Sequence, residues 1–577
     1  MRRSAASSLR LIVFTLVVLI WAHGRSHGQW STDPSQNLNV LRSHCMKPHV
    51  IPDGTGGVII VSESYTVNPL LRAQRVDRYG NILWDPSLRG IRVSTAGDEQ
   101  GDPIVVPDGA GGAYVGFCAR TIIGYYPEPP EPIYSSRVRI QRLDAHGNLL
   151  FGNDGVILYD YPIDSSGLGQ GLYSLVPDNI GGVYVMWGDA HGPAGDDVYV
   201  NHVSQDGQVS WKNSIATNSR VYVGEDLLTY GDGEGGLIIY RLRSSDKDSD
   251  RFIRINRDGE IIADHPIKTG LDSFYLFTAV KGECILFWQD FNQFSRPDTL
   301  RCQKINRNGE KLWGERPVII DSSGLLSIPL AIGMQPDETG GAFLAYQKDA
   351  VSTHLVHVNS NGRILFSKSI ARFNGLGWSR QPERVMVGTY QNGVLYHFYS
   401  PGEGYYACAV DSAGREIWPK VLYSTRTNER QYRFDAVVSD GNGGAIFAWG
   451  ENVPMRGIWI QQVSAKGELG TVTGIKEPST TESTPHDFRL LPAYPSPFHQ
   501  NVHISYHLRQ NLRVALKIYD ISGKEVITLI EQPQPQGVHE ITWDGVDRYG
   551  KPVSNGVYFC VLSARTTRQM CKLVLVR

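Results

Sequence analysis

One unit recurs along this chain and decides what it can fold into. Its first element is an Asp-Gly-rich turn ending in a glycine pair, followed by an apolar run. It stands at Pro52–Val61 (PDGTGGVIIV), Pro107–Phe117, Pro177–Trp187, Gly231–Tyr240, Pro336–Tyr346 and Ser439–Trp449. Lys281–Trp288 (KGECILFW) and Gln391–Phe398 (QNGVLYHF) are degenerate copies, which makes eight. A second element follows each: an apolar-centred strand, a tight turn, then a short strand. The turn glycines are Gly80, Gly147, Gly207, Gly259, Gly309, Gly362, Gly414 and Gly467, spaced by 67, 60, 52, 50, 53, 52 and 53 residues. Three residues before each glycine stands Asp, Asn or Ser, whose side chain can bond its own turn backbone. Four before stands Val, Leu or Ile.

Aromatic residues keep the same register. Trp84, Phe151, Trp211, Trp313, Phe366 and Trp418 lie four residues after the turn glycine. Phe117, Trp187, Trp288, Tyr346, Phe398 and Trp449 close the apolar runs. A residue repeated at one place in every unit holds unit against unit, whereas a ligand is met by positions that vary. These aromatics are therefore read as core.

Each unit offers four antiparallel strands; in the third they fall at Tyr173–Val176, Gly182–Trp187, Asp197–Val203 and Val209–Trp211. Such a sheet cannot bury both faces alone. Radial stacking closes the core and leaves few exposed edges, which is the β-propeller solution. The fold class is all-β: a propeller over 46–472 with eight blades, or seven and a divergent first unit, followed by a small Ig-like sandwich. The chain's 61 glycines in 577 residues, against a usual share of about 7%, fit this turn-rich architecture.

In a four-stranded meander the two repeated turns lie at one end of the blade. The second-to-third-strand loops lie at the other end, and their lengths vary. Variable loops on a rigid scaffold are the usual place for binding. The densest aromatic and acidic cluster there is Tyr125, Tyr126, Glu128, Glu131 and Tyr134, the ligand-loop candidates. A rigid structural loop is the competing reading.

The N-terminus carries an address. Arg2, Arg3 and Arg10 lead into Leu11–Ala22, twelve residues without a charge. That is short for about 30 Å of hydrocarbon but suits the apolar core of a signal peptide. Residues 1–28 are read as a signal peptide cleaved before Gln29, with a short membrane anchor as the alternative. No other segment reads as transmembrane. A net charge of −2 gives no nucleic-acid footprint.

Seven cysteines are too few for a disulfide scaffold. Cys560 and Cys571 sit symmetrically about a two-residue turn at Arg565–Thr566, and Cys284 and Cys302 flank one loop. These are the candidate disulfides, with buried free thiols as the alternative. Cys45, Cys118 and Cys408 are read as packed. No metal site is expected, although His44, Cys45 and His49 come nearest to one, and no cofactor is implied. Calcium on the Asp-Gly turns is a weaker reading than backbone-bonding turns for Asp53, Asp108, Asp178 and Asp337. HExxH and the phosphate-loop pattern are absent from the sequence.

The periodicity ends in a threonine-, serine- and proline-rich stretch, read as a linker over 473–490. Strands are then expected at Val502–Leu508, Leu512–Tyr519, Val526–Leu529, Ile541–Trp543, Val557–Leu562 and Met570–Leu575. The segments YPSPFHQNVHISYHL (Tyr494–Leu508), VALKIYDISGKEVITL (Val514–Leu529), HEITWDGVDRYGKPVSNGVYF (His539–Phe559) and KLVLVR (Lys572–Arg577) resemble a known module. It is the C-terminal Ig-like sorting domain of the type IX secretion system, in the variant similar to the flagellar hook-capping Ig-like domain. The resemblance covers 491–577 and departs from the family's Asn-Pro-Phe-Asn-Pro at Ser496–Gln500.

The resemblance implies delivery across an outer membrane by the secretion machinery, ending in the medium or on the cell surface. It singles out Tyr494, Pro495, Pro497, Phe498, Trp543, Asp544, Gly545, Gly556, Lys572 and Arg577. Tyr494 and Phe498 are expected to pin the entering chain, Trp543 to sit in the core, and Lys572–Arg577 to belong to the signal. More loosely, the repeats resemble bacterial extracellular propellers of unassigned role. The functional expectation is a surface or extracellular binding or structural protein whose ligand is a glycan or a protein. The alternative is a secreted carbohydrate-active or related propeller enzyme.

Overall fold

The computed structural model describes residues 30–576, except 43, 46, 65–67, 126–131, 159–169, 190–196, 215–226, 242–250, 267–273, 281, 291–298, 323–330, 338, 350–351, 373–386, 391–392, 401–403, 419, 426–434, 452–456, 471–487, 491–492, 494–497, 499, 509, 521–523 and 565–566. The signal-peptide reading of 1–28 and most of the linker reading fall outside these residues. No helix among the described residues is long and apolar enough to cross a membrane. The chain divides into two compact units, Met1–Pro107 with Gly112–Thr473 and Asp108–Gly111 with Gly474–Arg577.

The larger unit contains eight four-stranded antiparallel sheets. Blade three is Gln170–Pro177, Val183–Asp189, Asp197–Val203 and Val209–Ser214, each strand paired with the next. The first strand of every blade packs beside the first strand of the following one, from blade one to blade eight and back to blade one. Eight buried clusters occupy the eight seams. Along each second strand, alternate residues serve opposite seams: Ile59 and Val61 face blade two, while Val58 and Ile60 face blade eight. Radial stacking thus buries both faces of sheets that could not bury them alone.

The eighth blade differs from the expected meander. It takes three strands from Asp435–Ser439, Ala445–Glu451 and Gly457–Val463, and its outermost strand is Leu38–Leu41 from the start of the chain. Leu38 pairs with Ile460 and Leu41 with Ile458. The propeller therefore begins before residue 46 and has eight blades, closed without a covalent link between the last blade and this strand. Further bonds hold the entering segment: Asn37 donates from Nδ2 to the Tyr423 carbonyl (2.9 Å), and Gln461 donates from Nε2 to the Ser31 carbonyl (3.1 Å).

Two side-chain devices repeat around the ring. In the Asp-Gly turns one carboxylate oxygen binds the turn and the other binds the third strand. Asp53 Oδ1 accepts from the Thr55 and Gly57 N–H groups, both at 2.8 Å, while Oδ2 accepts from Arg75 at 2.9 and 3.0 Å. Asp178 does the same with His202, Asp232 with Arg254, Asp337 with His357 and Asp440 with Gln462. These are the backbone-bonding turns expected from sequence, with a partner that was not. The two degenerate blades vary as pairs. Blade five offers Glu283 to Lys304 at 2.5 Å, while blade seven has no turn acid and carries Ala409 at the partner position.

The second device joins neighbouring blades. The indole N–H groups of Trp84, Trp211, Trp313 and Trp418 donate to backbone carbonyls in the next blade's tight turn, at Ala145, Arg257, Ser360 and Ala465 (2.8–3.3 Å). The turn glycine lies beneath the ring. A Cβ on Gly362 would come within 2.9 Å of Trp313, so glycine is required there by space as well as by its φ of +79°. At the closing seam Trp30 supplies the same contact, donating from Nε1 to the Arg78 carbonyl at 2.8 Å.

The smaller unit is a sandwich of a three-stranded and a four-stranded sheet. The first holds Phe488–Leu490, Val502–Leu508 and Gly537–Trp543; the second holds Leu512–Asp520, Glu525–Gln534, Gly556–Ala564 and Thr567–Leu575. All pairs between these strands are antiparallel. The sandwich thus starts at Phe488, inside the stretch read as linker.

Candidate functional site

At the blade end opposite the repeated turns, blade two is irregular. Its first strand, Glu99–Pro107, contains Pro103, which has no N–H to give to a ladder. The register accordingly shifts between Gly101 and Ile104, and Asp102 takes a left-handed φ of +53°. Held in that bulge, Asp102 donates its N–H to Glu63 Oε1 at 2.8 Å. Its carboxylate pairs with Arg120. Bulges and left-handed non-glycine residues are concentrated near functional sites.

Beyond the bulge the second and third strands run on as a long hairpin, Ala113–Tyr125 and Pro132–Leu143, with Tyr125 opposite Pro132. Acidic side chains anchor it. Asp98 Oδ2 accepts the Ile122 N–H at 2.8 Å. Tyr134 donates its hydroxyl to Glu99 Oε1 at 2.6 Å, and that bond, with some burial, pushes the phenol up to about 12. His49, beside this end of blade one, titrates below its ordinary value because it is buried and near Lys47, with Asp102 opposing. A cavity of about 70 Å³ is lined by Gly97, Ala119, Thr121, Ser135, Arg137 and Arg139. Arg139 donates from Nη1 to the carbonyls of Asp154 (3.2 Å) and Gly155 (3.4 Å).

Of the ligand-loop candidates, Tyr125 is 61% exposed at the end of the strand Ala113–Tyr125. Tyr134 is instead bonded inward as a brace. Tyr126, Glu128 and Glu131 lie outside the described residues. Glu63, Glu99, Asp102, Arg120 and the two cavity arginines were not singled out from sequence. Pro103 within an inner strand was the available signal.

In the smaller unit Phe498 is fully buried. Its N–H donates to the Val574 carbonyl (2.8 Å) and its carbonyl accepts from Val576 (2.9 Å). Trp543 is buried, packs on Phe498 and Tyr558, and donates to the Val546 carbonyl at 2.8 Å. Gly545 has φ +70°, Gly556 opens the strand Gly556–Ala564, and Asp544 is exposed beside Trp543. Lys572 is placed by its backbone in the last strand, opposite Phe559. Tyr494, Pro495, Pro497 and Arg577 lie outside the described residues.

The candidate disulfides separate. Cys284 pairs with Ile305 across blade five, three residues from Cys302. An odd offset puts the two thiols on opposite faces of one sheet, in the clusters of different seams. Cys284 and Cys302 therefore cannot bridge. Cys560 and Cys571 are direct register partners on one face.

The fold and pairing define a closed eight-bladed β-propeller followed by an Ig-like domain. Within the latter, residues 499–568 match the family described as FlgD Ig-like domain. No curated protein matches the chain. Similar solved structures include a eukaryotic initiation factor, at 9% identity over 76% of this chain and 89% of that one, TM-score 0.35. The β-propeller domain of the Trilobed protease from Pyrococcus furiosus is 9% identical over 64% and 97%, TM-score 0.36. PorZ, described as a bacterial surface component of the type IX secretion system of Porphyromonas gingivalis, is 10% identical over 95% and 100%, TM-score 0.19. At these scores the likenesses carry no weight beside the strand pairing.

Proposed function

We propose that this chain is an exported binding or structural protein, acting in the medium or on the cell surface, whose Ig-like domain directs its passage through outer-membrane secretion machinery. The propeller is the passenger, and its ligand is an extracellular glycan or protein met at the end that carries the blade-two hairpin. The observation that carries the delivery reading is the C-terminal unit. Its residues 499–568 match the FlgD Ig-like family, and its terminal strand is paired along its length with Gly556–Ala564. That arrangement suits a module that presents the Lys572–Arg577 segment from a folded support. Removal of residues 1–28 belongs to the same reading.

Fractionation of the native organism with intact-mass measurement tests it. The expected result is a chain beginning at Gln29 in the medium or on the surface, with or without its final domain. A full-length chain confined to the periplasm would overturn the delivery role and leave residues 488–577 as an ordinary accessory domain.

A further inference from the structure

Five of the seven cysteines are buried one to a seam. Cys45, Cys118, Cys284, Cys302 and Cys408 belong to five different core clusters of the propeller. Cys560 and Cys571 alone share a cluster. They stand directly opposite on the antiparallel strands Gly556–Ala564 and Thr567–Leu575. Opposed residues of such a pair have Cβ atoms about 4.5–5.5 Å apart, a short adjustment from the roughly 3.5–4.5 Å of a disulfide. Cys560 is fully buried and Cys571 half-buried, so an oxidant reaches Cys571 first.

The strand they would fasten needs fastening. Thr567–Leu575 is the last strand of its sheet, with Gly556–Ala564 as its one ladder partner. Beyond that ladder its described contacts are a parallel bridge from Phe498 to Leu575, the backbone bonds of Phe498 with Val574 and Val576, and the bonds of the Gln569 side chain with Phe488 and Leu490. An edge strand is where a sheet frays and where foreign strands add.

We propose that Cys560 and Cys571 form a cross-strand disulfide in the mature protein, bolting the terminal strand to the core of the Ig-like domain. Two S–H groups become one S–S bond, and two electrons and two protons pass to an oxidised thiol–disulfide catalyst. The Cys571 thiolate attacks that catalyst's disulfide, and Cys560 displaces it from the mixed disulfide. The neighbouring Cys560 thiol holds the Cys571 thiol below its ordinary range, which favours this order. Only the cellular source of the oxidant rests on the export reading; the pairing itself does not.

The test uses the full chain, purified reduced and equilibrated with oxidised glutathione. Remaining thiols are alkylated after unfolding, and peptides are mapped without reduction. The expected result is one crosslinked peptide pair containing Cys560 and Cys571, lighter by two hydrogens, with the five propeller cysteines alkylated. Cys571→Ser should make Cys560 fully alkylatable and abolish the crosslink. Alkylation of both Cys560 and Cys571 in the glutathione-treated wild-type chain would overturn the pairing. A chain that closes in glutathione but is reduced when isolated from cells would overturn the bond in the mature protein and count against the export reading as well.

Discussion

Trp30→Ala should open the propeller at one seam and leave the others closed. The indole is 3% exposed, packs with Val40, Leu41, Val58 and Val76, and gives its N–H to the Arg78 carbonyl. Truncating a buried tryptophan to alanine costs about 3–5 kcal/mol, cavity included; the hydrogen bond accounts for about 1 kcal/mol. At about 1.4 kcal/mol per decade, opening of this seam should become two to three and a half orders of magnitude more frequent, up to the limit set by global unfolding. The cost falls locally because Leu38–Leu41 is joined to blade eight by strand pairing and side-chain packing, with no covalent link. Hydrogen exchange of peptides covering Leu38–Leu41 and Gly457–Val463 reads it directly. Trp30→Phe, which keeps most of the ring and loses the donor, should raise exchange about fivefold. Trp418→Ala removes the same contact where the chain itself joins the blades, and should not deprotect Leu38–Leu41 selectively. Exchange of Leu38–Leu41 in Trp30→Ala within threefold of wild type would refute the closing role.

Acid should weaken the seam between blades six and seven. Burial opposes charge on Asp337, yet bonds from His357, Gly341 and Thr339 hold its carboxyl down to about 2 from the ordinary 3.8; the lowered value means stability present above pH 4 and lost towards pH 2. The loss is about 2 kcal/mol, and urea titrations from pH 5 to 2 should show it in wild type and not in Asp337→Asn. Gly362→Ala meets both a left-handed φ and the Trp313 ring, so it should cost about 2–4 kcal/mol by thermal melting. Gly109→Ala, at φ +76° in open space, should cost only the backbone share of about 1–2 kcal/mol; equal costs would refute the packing argument. Phe498→Ala should destabilise the Ig-like unit by about 3–5 kcal/mol while propeller exchange is unchanged, and a shared loss would sink that separation.

The blade count, the turn chemistry and the C-terminal strands were legible because each is a local pattern repeated or alternating. Val502–Leu508 is observed as expected, and Ala564 pairs with Thr567, which agrees with a two-residue turn between Cys560 and Cys571. The closing strand was not legible. Its residues LNVL carry no turn glycine, and their partners stand more than 400 positions away. Trp30 sat at the edge of the export signal, where a tryptophan has no register to be read against. Cys284 and Cys302 failed on parity, which needs the pairing register and cannot be taken from the loop they flank. At the site, Tyr125 and Tyr134 belong to one exposed-looking motif, yet one stands exposed and the other bonds Glu99.

The partners of the turn acids were present in the sequence and went unread. The residue just before each repeated Val, Leu or Ile is Arg75, Arg142, His202, Arg254, Lys304, His357, Ala409 or Gln462. The one position that can neither donate nor carry charge falls in the copy that has lost its acid. A ligand site has no reason to lose both halves together in a single blade, whereas a buried pair does, because either half left alone in the seam costs several kcal/mol. The repeated turn end is thus accounted for by folding. That turns the search for a ligand to the other end, where Pro103 breaks the ladder, Asp102 is held left-handed, and the blade-two hairpin has no counterpart of equal length among the described residues of the other blades.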